Sequence, residues 1–186
     1  STNSDPLELA AQYVRDVLNG NLIVNDYVRL AVQRHVTDLE TAHYRGLFFD
    51  EESARRALLI FKFLKHSKGE LQGKTIQLEP WQAWIIACVF GWKYDDSGYR
   101  RFRVVYEEEA RKNGKTTKLA GIGLIGLMKD DEGGPEIYCA ATKRDQALIM
   151  FEEITRMARQ SPPLRSRLTI QGNRIMYPRN FGKIMP

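Results

Sequence analysis

The sequence predicts an α/β fold in which a parallel sheet is flanked by helices and preceded by an N-terminal helical region. Three observations carry this. Apolar side chains recur at helical spacing up to about residue 74; from residue 75, β-branched runs alternate with apolar helical runs; and Gly114-Lys115-Thr116 lies where one such run gives way to the next. Strand–helix–strand–helix order with short connections implies right-handed crossovers and parallel strands.

Asp5-Pro6 reads as an N-cap followed by a proline in the first turn, and Leu7, Ala10, Ala11, Val14, Val17 and Leu18 continue at helical spacing until Asn19-Gly20-Asn21. A second helix starts near Asn25 with Val28, Ala31, Val32, His35, Val36 and Leu39 on one face. A third starts at Asp50, with Glu51 and Glu52 placed to offset the dipole of its first turn. Lys68 to Lys74 is a glycine-punctuated loop. Glu79-Pro80 then opens an apolar helix to about Phe90, and Arg101–Tyr106 reads as a strand. Lys115–Met128 reads as a helix, Glu136–Ala141 as a strand and Arg144–Arg159 as a helix. Residues Leu168–Ile170 and Arg174–Tyr177 flank Gln171-Gly172-Asn173 as a hairpin.

Composition narrows the function classes. The chain has 186 residues, 43% hydrophobic and 27% charged, which fits a self-sufficient core and argues against a disordered chain. Its longest apolar stretch, Trp84–Trp92, is about half the roughly 20 residues that cross a membrane as a helix. The polar, acidic start Ser1–Glu8 has neither a signal-peptide nor a transit-peptide pattern. Cys88 and Cys139 lie in apolar runs and read as reduced core thiols, which points to a reducing compartment. His35, His43 and His66 have no metal-ligand spacing. Formal net charge is +5, and its distribution is uneven: residues 143–186 hold nine Lys/Arg against three Asp/Glu. That basic quarter, with Arg156, Arg159, Arg165, Arg167, Arg174, Arg179 and Lys183, suits a phosphate-tracking face as well as a solvated one.

The chemistry-bearing segment is Glu107-Glu108-Glu109-Ala110-Arg111-Lys112-Asn113-Gly114-Lys115-Thr116-Thr117. A strand before it and a helix after it is the setting of a phosphate loop, where successive N–H groups and the helix N-terminus face one anion. Gly114 permits close backbone approach, Lys115 reaches the terminal phosphates and the Thr116 hydroxyl completes a Mg²⁺ shell. The pattern Gly-x-x-x-x-Gly-Lys-Ser/Thr is met except at its first glycine, where Glu109 stands. The competing reading is a strand–turn–helix junction whose cations offset Glu107–Glu109.

The run Ala110–Thr116 resembles the deviant Walker A loop of the large terminase subunit of tailed bacteriophages. Leu78-Glu79-Pro80-Trp81-Gln82 is similar to that family's adenine-recognition segment. Ile137–Thr142 with Asp145-Gln146-Ala147 is similar to its second ATPase strand and following helix, and Arg34-His35 with Asp38-Leu39 fits its lead-in. The resemblance implies a P-loop NTPase-type sheet, with residues 1–74 as helical lead-in and residues 75–186 as the first part of an ATPase domain. It implies nucleotide binding by Gln82, Arg111, Lys112, Asn113, Gly114, Lys115, Thr116 and Thr117, catalytic charge from Arg111 and Lys115, and Mg²⁺ at Thr116. ATP and Mg²⁺ are the expected cofactors. Expected partners are double-stranded DNA, a small terminase subunit, a portal and further copies of the chain, without a membrane, in the bacterial host cytoplasm.

No apolar run ending in paired carboxylates follows residue 117, and Glu152-Glu153 reads as solvated. The expectation is therefore an ATPase truncated before its Walker B strand and nuclease part, with an incomplete sheet and weak or absent hydrolysis in isolation. Two alternatives stand beside it: a fragment of another P-loop NTPase, and a non-enzymatic basic α/β module that binds DNA or protein.

Overall fold

The Asp5 carboxylate accepts a hydrogen bond from the Leu7 N–H at 3.0 Å, and Pro6 presets the backbone, so the first helix, α1 (Pro6–Leu18), begins at its predicted cap. The computed structural model describes residues 5–110, 113–130 and 132–186. The chain folds as two compact units, Ser1–Leu58 with Leu78–Glu107, and Leu59–Gln77 with Glu108–Pro186.

The first unit is mainly helical. Asn25 caps α2 (Asp26–Thr41) by accepting from the Val28 N–H at 2.9 Å. The short strand β1 (Leu47–Phe49) leads into α3 (Glu51–Leu59). Glu79 and Pro80 open α4 (Pro80–Gly91), which runs directly into β2 (Trp92–Tyr94), paired antiparallel with β1. The sequence shows neither of these two strands clearly, because each is three residues long and Trp92 continues the apolar run of α4. Tyr13, Val17 and Val32 form one core cluster, against which Trp81 and Trp84 pack.

Two predictions for this unit change. On α2 the buried residues are Val32 and Asp38, whereas Leu39 is exposed. Asp38 takes the inward position because it accepts hydrogen bonds from both Arg45 and Arg101, which compensates a charge that burial alone would penalise. The second change is the strand expected at Arg101–Tyr106. The Arg101 N–H donates to the Trp92 carbonyl at 2.9 Å, but residues 102–110 join no sheet. Val104 and Tyr106 are each 85% exposed. Aromatic and β-branched residues favour a strand only where a partner completes its ladder, and among the described residues none does.

The second unit is a helix-backed sheet. The glycine-started α5 (Lys115–Met128) is followed by β3 (Glu136–Tyr138), α6 (Arg144–Gln160) and the short α7 (Pro162–Arg165). The hairpin β4 (Thr169–Gln171) and β5 (Arg174–Tyr177) forms as predicted, and β6 (Gly182–Met185) completes the set. Strand order is β3-β6-β5-β4, with β3 and β6 parallel and the other pairs antiparallel. The α/β class stands, but the sheet is mixed rather than parallel, because the hairpin and β6 return the chain antiparallel. Ile137, Ile184, Ile175 and Ile170 stand in register across all four strands and make an apolar row. Helix α5 packs closely: a Cβ added at Gly121 would lie 2.4 Å from the Phe61 ring.

Glu153 corrects another expectation. It is 2% exposed, and the Ser67 hydroxyl lies at 2.7 and 2.8 Å from its two oxygens, so this carboxylate is a buried structural group.

Two groups of the first unit give stability a defined acid dependence. Burial lowers the His35 pKa to about 4, the neighbouring Asp38 charge opposing the shift in part. The Trp92 Nε1–H donates to His35 Nδ1 at 3.0 Å, which suits the neutral ring. For Asp50, burial works upward, but hydrogen bonds from Lys93 and Ser53 prevail and bring its carboxyl down to about 2. Both pKa values are depressed on folding, so the unfolded chain binds more protons and stability falls as pH falls. We predict loss of about 2–3 kcal/mol between pH 6.5 and 4 from His35, then about 2 kcal/mol between pH 4 and 2 from Asp50. Urea unfolding across this range should lose its upper limb in His35→Gln and its lower limb in Asp50→Asn.

Candidate functional site

The start of α5 is the best-formed candidate site. Gly114 has φ 80° and ψ 14°, a left-handed conformation that residues with a Cβ adopt at a cost. Its carbonyl accepts the first helical bond, from the Lys118 N–H at 2.9 Å. The N–H groups of the first turn have no earlier helical carbonyl to reach, and the helix dipole adds partial positive charge there. Asn113 and Gly114 are exposed, while Lys115, Thr116 and Thr117 are half-buried. The start of the helix therefore lies at the surface of its unit.

The Lys115 ammonium folds back over the turn and donates to the Glu109 carbonyl at 3.3 Å. Glu109 itself, which stands in place of the first glycine of the pattern, turns inward to meet Lys118: Oε1 and Nζ are 3.2 Å apart. Sequence reasoning misses this pair. Its one trace in the sequence is a lysine inside an otherwise apolar helix that follows a Glu triplet.

The predicted site residues are distributed as follows. Asn113, Gly114, Lys115, Thr116 and Thr117 are contiguous at the turn and the first turn of α5. Arg111 and Lys112 lie outside the described residues. Gln82 is 8% exposed near the start of α4, and its amide oxygen accepts from the Glu79 N–H at 3.1 Å as part of a capping box.

A second concavity, in the first unit, has a volume of about 300 Å³ and is lined in part by Arg34, His35, Trp84, Cys88, Arg101 and Phe102. It offers no acid–base pair suited to neutral pH. His35 stays neutral, Asp38 is held by Arg45 and Arg101, and burial pushes the Cys88 thiol up to about 12.

With the geometry of the turn in view, comparison with known proteins identifies the chain. Residues 80–183 match the family model described as "Terminase large subunit, ATPase domain", which is more than half of the sequence. The chain belongs to the terminase large-subunit ATPase family. It is similar to the solved large terminase of bacteriophage HK97, with 25% sequence identity and a TM-score of 0.58. That likeness covers 71% of this chain and 26% of the HK97 protein, so this chain spans about a quarter of the larger one. No curated protein sequence matches it significantly.

The family's ATP and Mg²⁺ can be tested against the donors present. A helix start at the surface, a left-handed glycine and a lysine fit a polyphosphate. For the metal the turn offers the hydroxyl of Thr116, and among the described residues no group of three or more His, Cys, Asp or Glu forms a metal site. A single hydroxyl without a carboxylate cluster is compatible with a Mg²⁺ that draws most of its ligands from elsewhere than the protein.

The left-handed turn has a direct test. Gly114→Val should lower stability by about 2 kcal/mol and Gly114→Asn by less than about 1 kcal/mol, measured by urea denaturation, because asparagine tolerates this conformation and a β-branched residue does not.

Proposed function

We propose that this chain is the ATP-binding portion of a phage terminase large subunit, whose complete form hydrolyses ATP to move double-stranded DNA into a procapsid. The observation that carries this reading is the turn at Gly114, with Lys115 and the N-terminus of α5, inside a chain of the terminase ATPase family. On this reading residues 1–74 are the lead-in and residues 75–186 the first part of the ATPase domain.

Each residue has a role in the proposal. The amides of Asn113–Thr116 hold the phosphates and orient them by direct N–H donation. Lys115 exchanges the Glu109 carbonyl for a β- or γ-phosphate oxygen and carries positive charge to where negative charge develops during transfer. Thr116 supplies its hydroxyl oxygen to Mg²⁺, which when bound neutralises charge on the phosphates. Arg111 and Lys112 add cations beside the γ-phosphate, Arg111 as a two-pronged donor. Gln82, whose oxygen is committed to the helix cap, recognises adenine through its amide nitrogen.

The proposed DNA partner is supported by the basic final quarter. Arg165, Arg167, Arg174 and Arg179 are exposed, whereas Arg156 pairs with Glu152 and Lys183 with Glu136. Translocation needs backbone grip without base reading, for which exposed guanidinium groups are suited. A small terminase subunit, a portal and further copies of the chain are the proposed partners in the complete motor.

Calorimetry with ATP and Mg²⁺ tests the nucleotide reading. The chain should bind ATP weakly with little turnover, Lys115→Ala should abolish binding, and Gln82→Ala should lose preference for ATP over GTP. Unaltered affinity in Lys115→Ala would remove the phosphate loop. DNA binding is tested by salt titration: Arg165→Ala with Arg167→Ala should reduce the slope of log affinity against log salt by about 0.9 for each phosphate left without its guanidinium.

A further inference from the structure

The phosphate-loop pattern opens with a glycine, and a glutamate in that place would normally put a negative charge beside the phosphates. In this chain the carboxylate is withdrawn. The Glu109 side chain is 8% exposed and the Lys118 side chain 1%, with 3.2 Å between Oε1 and Nζ. Lys118 is the residue whose N–H donates to the Gly114 carbonyl, so it belongs to the first turn after the loop. Glu109 is the last residue before it. The ion pair therefore ties Glu109, the neck of the proposed loop, to the first turn of α5.

Lys115 ties to the same residue by another atom, donating to the Glu109 main-chain carbonyl at 3.3 Å. Glu109 is thus held through its carboxylate by Lys118 and through its carbonyl by Lys115. The second carboxylate oxygen, Oε2, is buried and has no hydrogen-bond partner among the described residues. A buried carboxylate with one unsatisfied oxygen relies strongly on the cation at its other oxygen, so removing Lys118 leaves Glu109 uncompensated.

We propose that Glu109 and Lys118 are positioning residues for the nucleotide: their buried ion pair closes the neck of the phosphate loop and takes over the part played by a first glycine. With Glu109 already tied to the first turn of α5, less freedom of these two residues is lost on anion binding, which leaves more of the interaction to appear as affinity. The tie also holds the Glu109 carbonyl as a resting place for the Lys115 ammonium before phosphate arrives. This inference rests on the reading of Glu109–Thr117 as a phosphate loop.

The test uses the full chain, with ATP and inorganic tripolyphosphate as separate probes in calorimetry and thermal melting of every variant. Glu109→Gln and Lys118→Met should each weaken both probes by roughly tenfold, the loss expected from one newly ordered side-chain constraint. The double variant E109Q/K118M should regain thermal stability, since an ion pair replaced as a whole leaves no buried lone charge. Its affinity should stay roughly tenfold down and no worse than either single variant. A tie that serves stability alone would restore affinity together with melting temperature, and that result overturns the proposal. A loss confined to ATP, with tripolyphosphate unaffected, also overturns it, because the neck acts on phosphates. Lys115→Ala separates the premise: if it leaves both probes bound at full strength, the phosphate loop itself is wrong and the tie falls with it.

Discussion

A backbone turn can hold an anion only when several N–H groups already point at one place, because ordering them afterwards costs conformational entropy that weak contacts do not recover. On the function proposed above, that constraint falls on the beginning of α5. The left-handed Gly114 reverses the chain into the helix, and the helix is fixed by packing along its length, including the close approach of Gly121 to the Phe61 ring. Leu124, Ile125 and Leu127 are nearly completely buried, so α5 cannot drift without opening the core of its unit. The turn therefore inherits rigidity from the helix.

Charge in both units follows one rule: what is taken from water is paired. Asp38 meets two arginines, Asp50 meets Lys93 and Ser53, Glu153 meets Ser67, and Glu109 meets Lys118. Such pairs are weak evidence of net stabilisation, yet each is costly to break from one side only. They also explain why the cavity of the first unit is chemically quiet. Asp38 is already held by Arg45 and Arg101 and His35 accepts from Trp92, and the histidine and thiol are pushed away from the protonation states that acid–base or nucleophilic chemistry would use.

Helices were legible in the sequence because their signals are local. Asp5-Pro6, Asn25, Glu79-Pro80 and Gly114 mark starts within a residue or two, and caps act over a single turn. The hairpin around Gly172 was legible for the same reason. Strands β1 and β2 were not, since each is three residues long and exists only through pairing with the other, far away in the chain. Arg101–Tyr106 shows the converse: strong strand propensity without a completed ladder forms no strand among the described residues.

The candidate site divides the same way. The run Arg111–Thr117, its deviation at Glu109 and its place before an apolar helix are one-dimensional facts, and they sufficed to indicate a terminase-like chain. What the Glu109 carboxylate does there was decided only by three dimensions, as were the inward turn of Asp38 and the burial of Glu153. Spacing along the chain reports which side chains share a helical face. Whether a charged one is turned inward depends on the polar partners that folding brings to it, two arginines at Asp38 and the Ser67 hydroxyl at Glu153, and those contacts exist only once the tertiary structure has formed.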